Sequence, residues 1–388
     1  MNKQIPNHVL PVIVFSQFAG TSLWFAGNAV VPDLIRELSF SEAYIGYITM
    51  AVQAGFILGT LVFAVLSVAD RFSPVKVFLA CSVLGALFNT ITIFGTSTGE
   101  VVGARILTGF FLAGIYPVGM KVASDWHKEG LGKALGYLVG ALVIGTAFPH
   151  LLRFIGDEFP WRFVMIATSL LSISGGLLLY VTVADGPFRG KSGGFNPAAI
   201  LSLFKSKNFR SAAFGYFGHM WELYTFWAFT PVLLAYYSAN SAIDINISLW
   251  SFIIIGIGGI SCAAGGHFSL KYGSKKIAFS SLMFSGICCL LIPFLVHAPL
   301  WVFLFFLLMW GAFVVSDSPQ FSAMVASSTD RSLVATGLTI VNCIGFSLTI
   351  LSIQLVTLLW VNVESVQIFW LIAIGPLFGL ISLKKFKV

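Results

Sequence analysis

The chain reads as long apolar stretches divided by short polar ones, and the length of each stretch decides what it can be. Twelve runs of roughly 20 residues follow one another: Leu10 to Val31, Tyr44 to Val68, Pro74 to Phe94, Val101 to Val122, Lys133 to Leu152, Phe163 to Val183, Ala212 to Leu234, Leu249 to Leu270, Ile277 to Val296, Leu300 to Val325, Leu333 to Leu359 and Val366 to Leu383. A helix rises about 1.5 Å per residue, so each run matches a hydrocarbon core about 30 Å thick. An open sheet would leave backbone groups unpaired in lipid, which leaves helices as the spanning element. The pattern predicts an all-α membrane protein with 12 transmembrane helices.

The longest connection, Ala184 to Phe209, contains GPFRGKSGGFNP and divides the chain six plus six. The expected organisation is two six-helix pseudo-symmetric bundles, 1–184 and 210–388, joined by a linker at 185–209. Within the linker, Asn196 before Pro197 is an N-cap and first-turn signature, and Ile200, Leu203 and Phe204 share one face, which predicts a short amphipathic helix. The halves also echo each other. RFSPVKV (Arg71 to Val77) aligns with KYGSKKI (Lys271 to Ile277) at an offset of 200, and YPVGMKVAS (Tyr116 to Ser124) corresponds to SPQFSAMVAS (Ser318 to Ser327).

Composition narrows the class. Of 388 residues, 57% are hydrophobic and 10% charged, against roughly 25% charged in soluble domains, which excludes a soluble protein. Loops on the side of the N-terminus hold 18 of the 22 Lys and Arg residues, whereas the opposite loops hold Arg36, Arg153 and Arg162, and Arg105 lies inside the fourth run. The positive-inside rule therefore places both termini in the cytoplasm. The net charge of +7 is spread over every inner loop, so lipid headgroups are expected as partners and nucleic acid is not. All five Cys fall inside membrane runs without paired spacing and read as small packing residues. MNKQIPNHVL leads directly into an uncharged run and is read as a retained first helix. Asn246-Ile247-Ser248 matches a glycosylation acceptor on the outer side, a pattern too common to carry weight.

Charged groups at mid-bilayer are expensive, so those present mark partners or a cavity. Arg105 lies in run four, Glu222 and His219 in run seven and Asp317 in run ten, while run one contributes Gln17, Trp24 and Asn28. Glu222 is about 15 Å into its helix, near the bilayer centre, where a desolvated carboxyl can bind and release a proton; the bland alternative is a carboxyl bonded across helices. His219, three residues earlier, can share that proton or orient the carboxyl. Arg105 stands about four residues from the outer end of its run, so snorkelling competes with a coupling role. Asp317, in SDSPQ, is either a gate or a bond to a kinked backbone. Trp24 and Tyr224 stand out among the aromatic residues because each has a polar neighbour.

Six-helix repeats with polar positions of this kind resemble the major facilitator superfamily. Its loop between helices two and three carries Gly-x-x-x-Asp-Arg-x-Gly-Arg and a further basic residue; Asp70, Arg71 and Lys76 match, while Leu66 and Ser73 replace the glycines. Arg105 with Gly109 fits the family's fourth-helix Arg and Gly, and Gly136, Gly140, Gly145 and Pro149 form a loose version of its Gly-rich fifth helix without the Gly-Pro pair. The resemblance implies that helices one, four, seven and ten line a central cavity and that three, six, nine and twelve lie outermost. Runs three, six, nine and twelve carry no interior charge.

These features together predict a proton-coupled secondary transporter moving a small organic solute across the inner membrane of a bacterium by alternating access. Export by antiport is slightly favoured by the aromatic cavity helices and the Gly-rich fifth helix; proton-coupled uptake of a small organic or inorganic anion through Arg105 is the alternative. Proton coupling is assigned to Glu222, His219 and Arg105, the substrate cavity to Trp24, Asn28, Arg105, Tyr224 and Asp317, and a conformational gate to Asp70, Arg71 and Lys76. An enzyme is disfavoured: GTSTG (Gly95 to Gly99) lies in a short loop, not on the strand-to-helix turn a nucleophile elbow needs. No metal site or cofactor is expected, and the protein is expected to act as a monomer. A channel would be expected to show repeated selectivity elements rather than one carboxyl in one half, and a non-transporting receptor, the alternative from another class, would usually need an outer recognition domain, whereas every outer loop here is short.

Overall fold

The structure is a computed structural model that describes residues 6–41, 43–127, 131–156, 158–189 and 195–387. Twelve spans dominate it: α1 Val9–Thr21, α2 Tyr44–Val65, α3 Pro74–Ile91, α4 Thr98–Trp126, α5 Leu131–Ile155, α6 Arg162–Thr182, α7 Lys207–Ser241, α8 Ile247–Tyr272, α9 Ser274–Leu295, α10 Leu300–Ser327, α11 Val334–Val363 and α12 Val366–Leu383. Ten of them are long and apolar enough to cross a bilayer. The other two are α1, at 13 residues, and α7, which has 35 residues but carries Glu222, His219 and a run of Trp and Tyr. Large apolar residues such as Leu170, Trp301, Phe305 and Leu377 are exposed, as lipid contact requires and water would not favour.

Caps, more than hydropathy, end these helices. The α7 helix begins five residues before the predicted run because the Ser206 hydroxyl accepts from the Phe209 amide at 3.4 Å. GTSTG acquires a structural meaning: Ser97 accepts from Glu100 N at 3.3 Å while the Glu100 carboxylate accepts from Ser97 N at 3.3 Å, a reciprocal cap on α4. The sequence repeat is visible in register, since α3 starts at Pro74 and α9 at Ser274. Its two loops turn differently. Ser73 caps α3 with its hydroxyl, whereas Gly273 takes φ +82°, a conformation that suits glycine. In the linker, Asn196 accepts from Ala198 N at 3.1 Å as predicted, and Leu203 is buried on the short helix Ile200–Leu203. Lys3, Lys128, Lys191 and the linker residues 190–194 lie outside the described residues.

Three spans are interrupted. Run one does not continue to Val31 as a single helix: α1 ends at Thr21, and short helices follow over Ala26–Ala29 and Val31–Leu38. Thr21 and Ser22 hydroxyls turn back onto the Gln17 and Ala19 carbonyls at 2.8 and 2.7 Å, which competes with the helical ladder at the point where it stops. The α4 helix breaks between Leu112 and Tyr116, before Pro117, and α10 breaks at Asp317, before Pro319. Proline supplies no N–H and clashes with the preceding turn, so a break just ahead of it is its usual effect.

Helices α5 and α8 pack along each other, as do α2 and α11, and these contacts join the first six spans to the last six. Glycine makes the first contact close: a Cβ on Gly140 would lie 2.8 Å from the Gly259 carbonyl oxygen. Gly109, on α4, is closer still to α2, with a Cβ placed 2.1 Å from the Val52 oxygen. That backbone approach is the physical content of the Arg105 and Gly109 spacing.

Candidate functional site

The interruption after α1 places Trp24 at the centre of the molecule, where it meets rings from other spans. Its indole lies 4.8 Å from the Phe56 ring of α2, 5.8 Å from Tyr224 of α7 and 5.7 Å from Phe346 of α11, the last two at interplanar angles of 29° and 25°. Tyr224 in turn meets Trp227 edge-on at 5.0 Å. Asn28, one turn beyond Trp24, donates to Thr49 Oγ1 of α2 at 2.6 Å. Trp24, Asn28 and Tyr224 are therefore brought together where α1 and α2 face α7 and α11.

Arg105 does not snorkel. It is fully buried and donates to Asn89 Oδ1 of α3 at 2.6 Å and to the carbonyls of Leu23 and Trp24 at 2.9 and 2.6 Å. The guanidinium thus satisfies carbonyl oxygens freed by the interruption of α1, and no carboxylate pairs with it among the described residues. Asn89 is anchored by its own amide, which donates to Thr168 and Ser169 of α6 at 3.2 and 2.9 Å. Asn89 was not singled out from sequence; the signal that could have found it is a single Asn inside the third apolar run.

Glu222 points into the last six spans, away from the aromatic rings. Its carboxyl accepts from Trp310 Nε1 of α10 at 2.7 Å and from Ser285 Oγ and Cys289 Sγ of α9 at 2.8 and 3.2 Å. Cys289 is accordingly a donor to the carboxyl, which corrects its reading as a packing residue. His219 shares a helix with Glu222, but its close contact is Asp317, with Nδ1 2.8 Å from Oδ1. The two groups are fully buried, and the contact is an ion pair only when the imidazole carries a proton. Asp317 occupies the break of α10, at the N-terminal end of Ser318–Ser327, where a negative charge is favoured by the helix dipole although its side chain makes no cap hydrogen bond. Glu222 and the His219–Asp317 pair are two separate sites on one side of α7 and α10.

On the face that carries the termini, Asp70 pairs with Lys121 at 3.2 Å, and Lys121 also reaches Asp125 at 3.4 Å. Arg189 bonds Asp185 at 2.9 Å and donates to the Phe72 carbonyl at 2.8 Å, while Ser73 donates to Asp185 at 2.8 Å. The loop between α2 and α3 is thus tied to the end of α4 and to the segment after α6. Of the predicted gate residues, Asp70 belongs to this network, while Arg71 and Lys76 are exposed. Lys121, Asp125, Asp185 and Arg189 were not singled out from sequence because loop charges there resemble ordinary headgroup contacts. On the opposite face Asp33 holds Arg153 at 3.1 Å and Arg36 at 2.9 Å, and Glu37 accepts from Arg162 and from Trp161 Nε1, both at 2.5 Å. Those donors hold the Glu37 carboxyl below the usual range.

A sequence profile described as Major Facilitator Superfamily matches residues 13–382. A protein of Aspergillus flavus called "Probable efflux pump mfs2" is 27% identical over 109 residues, 28% of this chain and 26% of its own. The "Inner membrane metabolite transport protein YgcS" of Escherichia coli is 25% identical over 189 residues, 47% of this chain and 41% of its own. The chain thus matches less than half the length of either relative. Among solved structures, the xylose transporter XylE from E. coli in a partially occluded inward open conformation has a TM-score of 0.76 at 12% identity, covering 98% of this chain and 99% of that one. The nucleoside transporter NupG has a TM-score of 0.74 at 17% identity over the same shares. With the profile running from α1 to α12 and both folds superposing along the whole chain, this protein belongs to the major facilitator superfamily of membrane transporters.

Proposed function

We propose that this chain is a proton-coupled secondary transporter that moves a small organic solute across the cytoplasmic membrane of a bacterium by alternating access, as an exporter that exchanges solute for protons. The observation that carries the reading is the placement of three titratable groups, Glu222, His219 and Asp317, fully buried on the helices that flank the meeting of the two halves. A charged group in that position is costly, so each has a use for its proton. Glu222 is the leading proton site, and its donors Trp310, Ser285 and Cys289 hold the carboxyl in place as it loads and unloads. His219 and Asp317 form a second site at the break of α10, where a change of protonation acts directly on a helix joint.

The bundles 1–184 and 210–388 would rock about the glycine contact of α5 with α8 and the contact of α2 with α11, with the 185–209 linker joining them. The Lys and Arg bias supports cytoplasmic termini, and the inner-membrane relative supports the location. Export is supported by the aromatic centre and by the fungal relative's name. Arg105 is engaged by Asn89 and two carbonyls, which takes away the main support for anion uptake.

Liposomes with an internal pH dye, loaded with protein and challenged with organic cations, drugs and organic anions, test the proposal. Glu222→Gln is expected to bind solute but lose the solute-evoked pH change, and the sign of that change in wild type separates antiport from symport. Equal solute-evoked pH changes in wild type and Glu222→Gln would refute the assignment of the proton to Glu222.

A further inference from the structure

The aromatic centre holds polar atoms that the protein does not satisfy. Trp24 Nε1, Asn28 Oδ1 and both amide atoms of Gln53 have no hydrogen-bond partner among the described residues, and none of the three residues is more than 7% exposed. Gln53 lies four residues after Thr49, the partner of Asn28, and three before Phe56, the partner of Trp24, so helical spacing puts it on the same face of α2. An indole N–H needs an acceptor, an amide oxygen needs a donor, and the Gln53 amide offers one of each. Leaving such groups dry costs free energy in any protein interior, and more where lipid surrounds the fold.

The rings beside these atoms have a definite shape preference. Trp24 lies nearly parallel to Tyr224 and Phe346, at 29° and 25°, with one of the three rings from the first six spans and two from the last six. A flat ring entering between them replaces ring-on-ring contacts with contacts of the same kind. The buried charges have other partners: the two terminal nitrogens of Arg105 are held by Asn89 and the Leu23 and Trp24 carbonyls, with its Nε unpaired and packed beside Gly27, Glu222 is held by Ser285, Cys289 and Trp310, and His219 lies against Asp317. The unpaired atoms on Trp24, Asn28 and Gln53 beside the rings are neutral donors and acceptors.

We propose that the meeting of α1 and α2 with α7 and α11 is a recognition site for an uncharged, flat heteroaromatic solute that stacks on Trp24 and uses its edge to pair with Trp24 Nε1, Asn28 and Gln53. This rests on the transporter reading and names the solute class that it leaves open.

The test uses purified full-length protein with hypoxanthine and nicotinamide as flat neutral probes, benzoate as a flat anion, tetraphenylphosphonium as an aromatic cation and xylitol as a neutral non-planar compound. Thermal shift and tryptophan-fluorescence titration read binding. The flat neutral probes are expected to bind saturably, with Trp24→Phe, which keeps a ring but drops the N–H, and Gln53→Leu each weakening them about tenfold. Without probe, Gln53→Leu is expected to be at least as stable as wild type, since it removes two unpaired polar atoms. A Gln53→Leu protein that is less stable and binds the probes unchanged overturns the proposal, because Gln53 is then structural. Saturable binding confined to the ions or xylitol, or no saturable binding of either flat neutral probe, overturns it too. Flat neutral probes that bind without evoking a pH change in liposomes leave this proposal standing and remove the proton coupling. A pH change evoked only by compounds of other classes does the reverse.

Discussion

Replacing Arg105 by Met tests whether the guanidinium braces the interruption of α1 or rides at the membrane surface. Met has a similar reach and no donors, so the change strands Asn89 Oδ1 and the Leu23 and Trp24 carbonyls, all now bonded at 2.6 to 2.9 Å. Hydrogen bonds to a charged group contribute about 1.5 to 3 kcal/mol each, and a buried acceptor left unpaired costs about 1 to 3 kcal/mol. Relief of the buried charge's own desolvation offsets part of that sum. The balance is about 2 to 5 kcal/mol of destabilisation, within the range for breaking a buried polar network. Arg105→Lys keeps the charge but supplies a single nitrogen where two guanidinium nitrogens now serve three acceptors, so it is expected to fall between wild type and Met. Thermal unfolding in detergent, followed by intrinsic fluorescence, gives the order wild type, Lys, Met. Trp24 sits on one of the braced carbonyls, so its emission is expected to shift before global unfolding in the Met variant. Equal stability and unchanged emission in all three proteins would mean that the guanidinium bears no such load.

Three further outcomes follow from the geometry. Gly109→Ala places a methyl 2.1 Å from the Val52 oxygen, a backbone atom that cannot swing aside, and is expected to cost about 1 to 3 kcal/mol by forcing α2 and α4 apart, read as a lowered unfolding midpoint. Lys121→Met removes the cation that Asp70 and Asp125 share and is expected to loosen the loop between α2 and α3, read as faster hydrogen exchange across 66–76, with protection unchanged as the opposing result. Glu37 has a folded pKa held below its unfolded value by Arg162 and Trp161, so its contribution to stability is present above the unfolded value and lost as pH falls through the folded one. Wild type and Glu37→Gln should therefore differ slightly at neutral pH and converge in acid, with a gap that widens in acid contradicting the sign; solvent screening keeps the effect small because the pair is exposed.

Much of this protein is legible in the order of its residues. Run lengths gave the spans because a bilayer imposes one length scale on every helix, and the offset of 200 between the halves survives as matching starts of α3 and α9. The break before Pro319 was legible as a kink at SDSPQ, and the cap at Asn196 as an Asn before a Pro. The interruption of α1 was not, since GTSLWF contains no proline and a Thr-Ser pair in an apolar run does not by itself show that its hydroxyls turn back onto the helix.

Sequence alone placed Glu222, His219, Asp317 and Arg105 inside long apolar runs, where run length sets the position of each along its helix. Only the tertiary structure decided what they touch. Glu222 and His219 stand three residues apart on one helix, yet Glu222 turns to Trp310, 88 positions along the chain, and His219 to Asp317. Three residues of helix leave two side chains about 60° apart in direction, and the packing of α9 and α10 against α7 assigns each direction a different neighbour. Arg105 likewise found Asn89 and the carbonyls after α1 through the close seating of spans, a contact that no pattern along a single helix encodes.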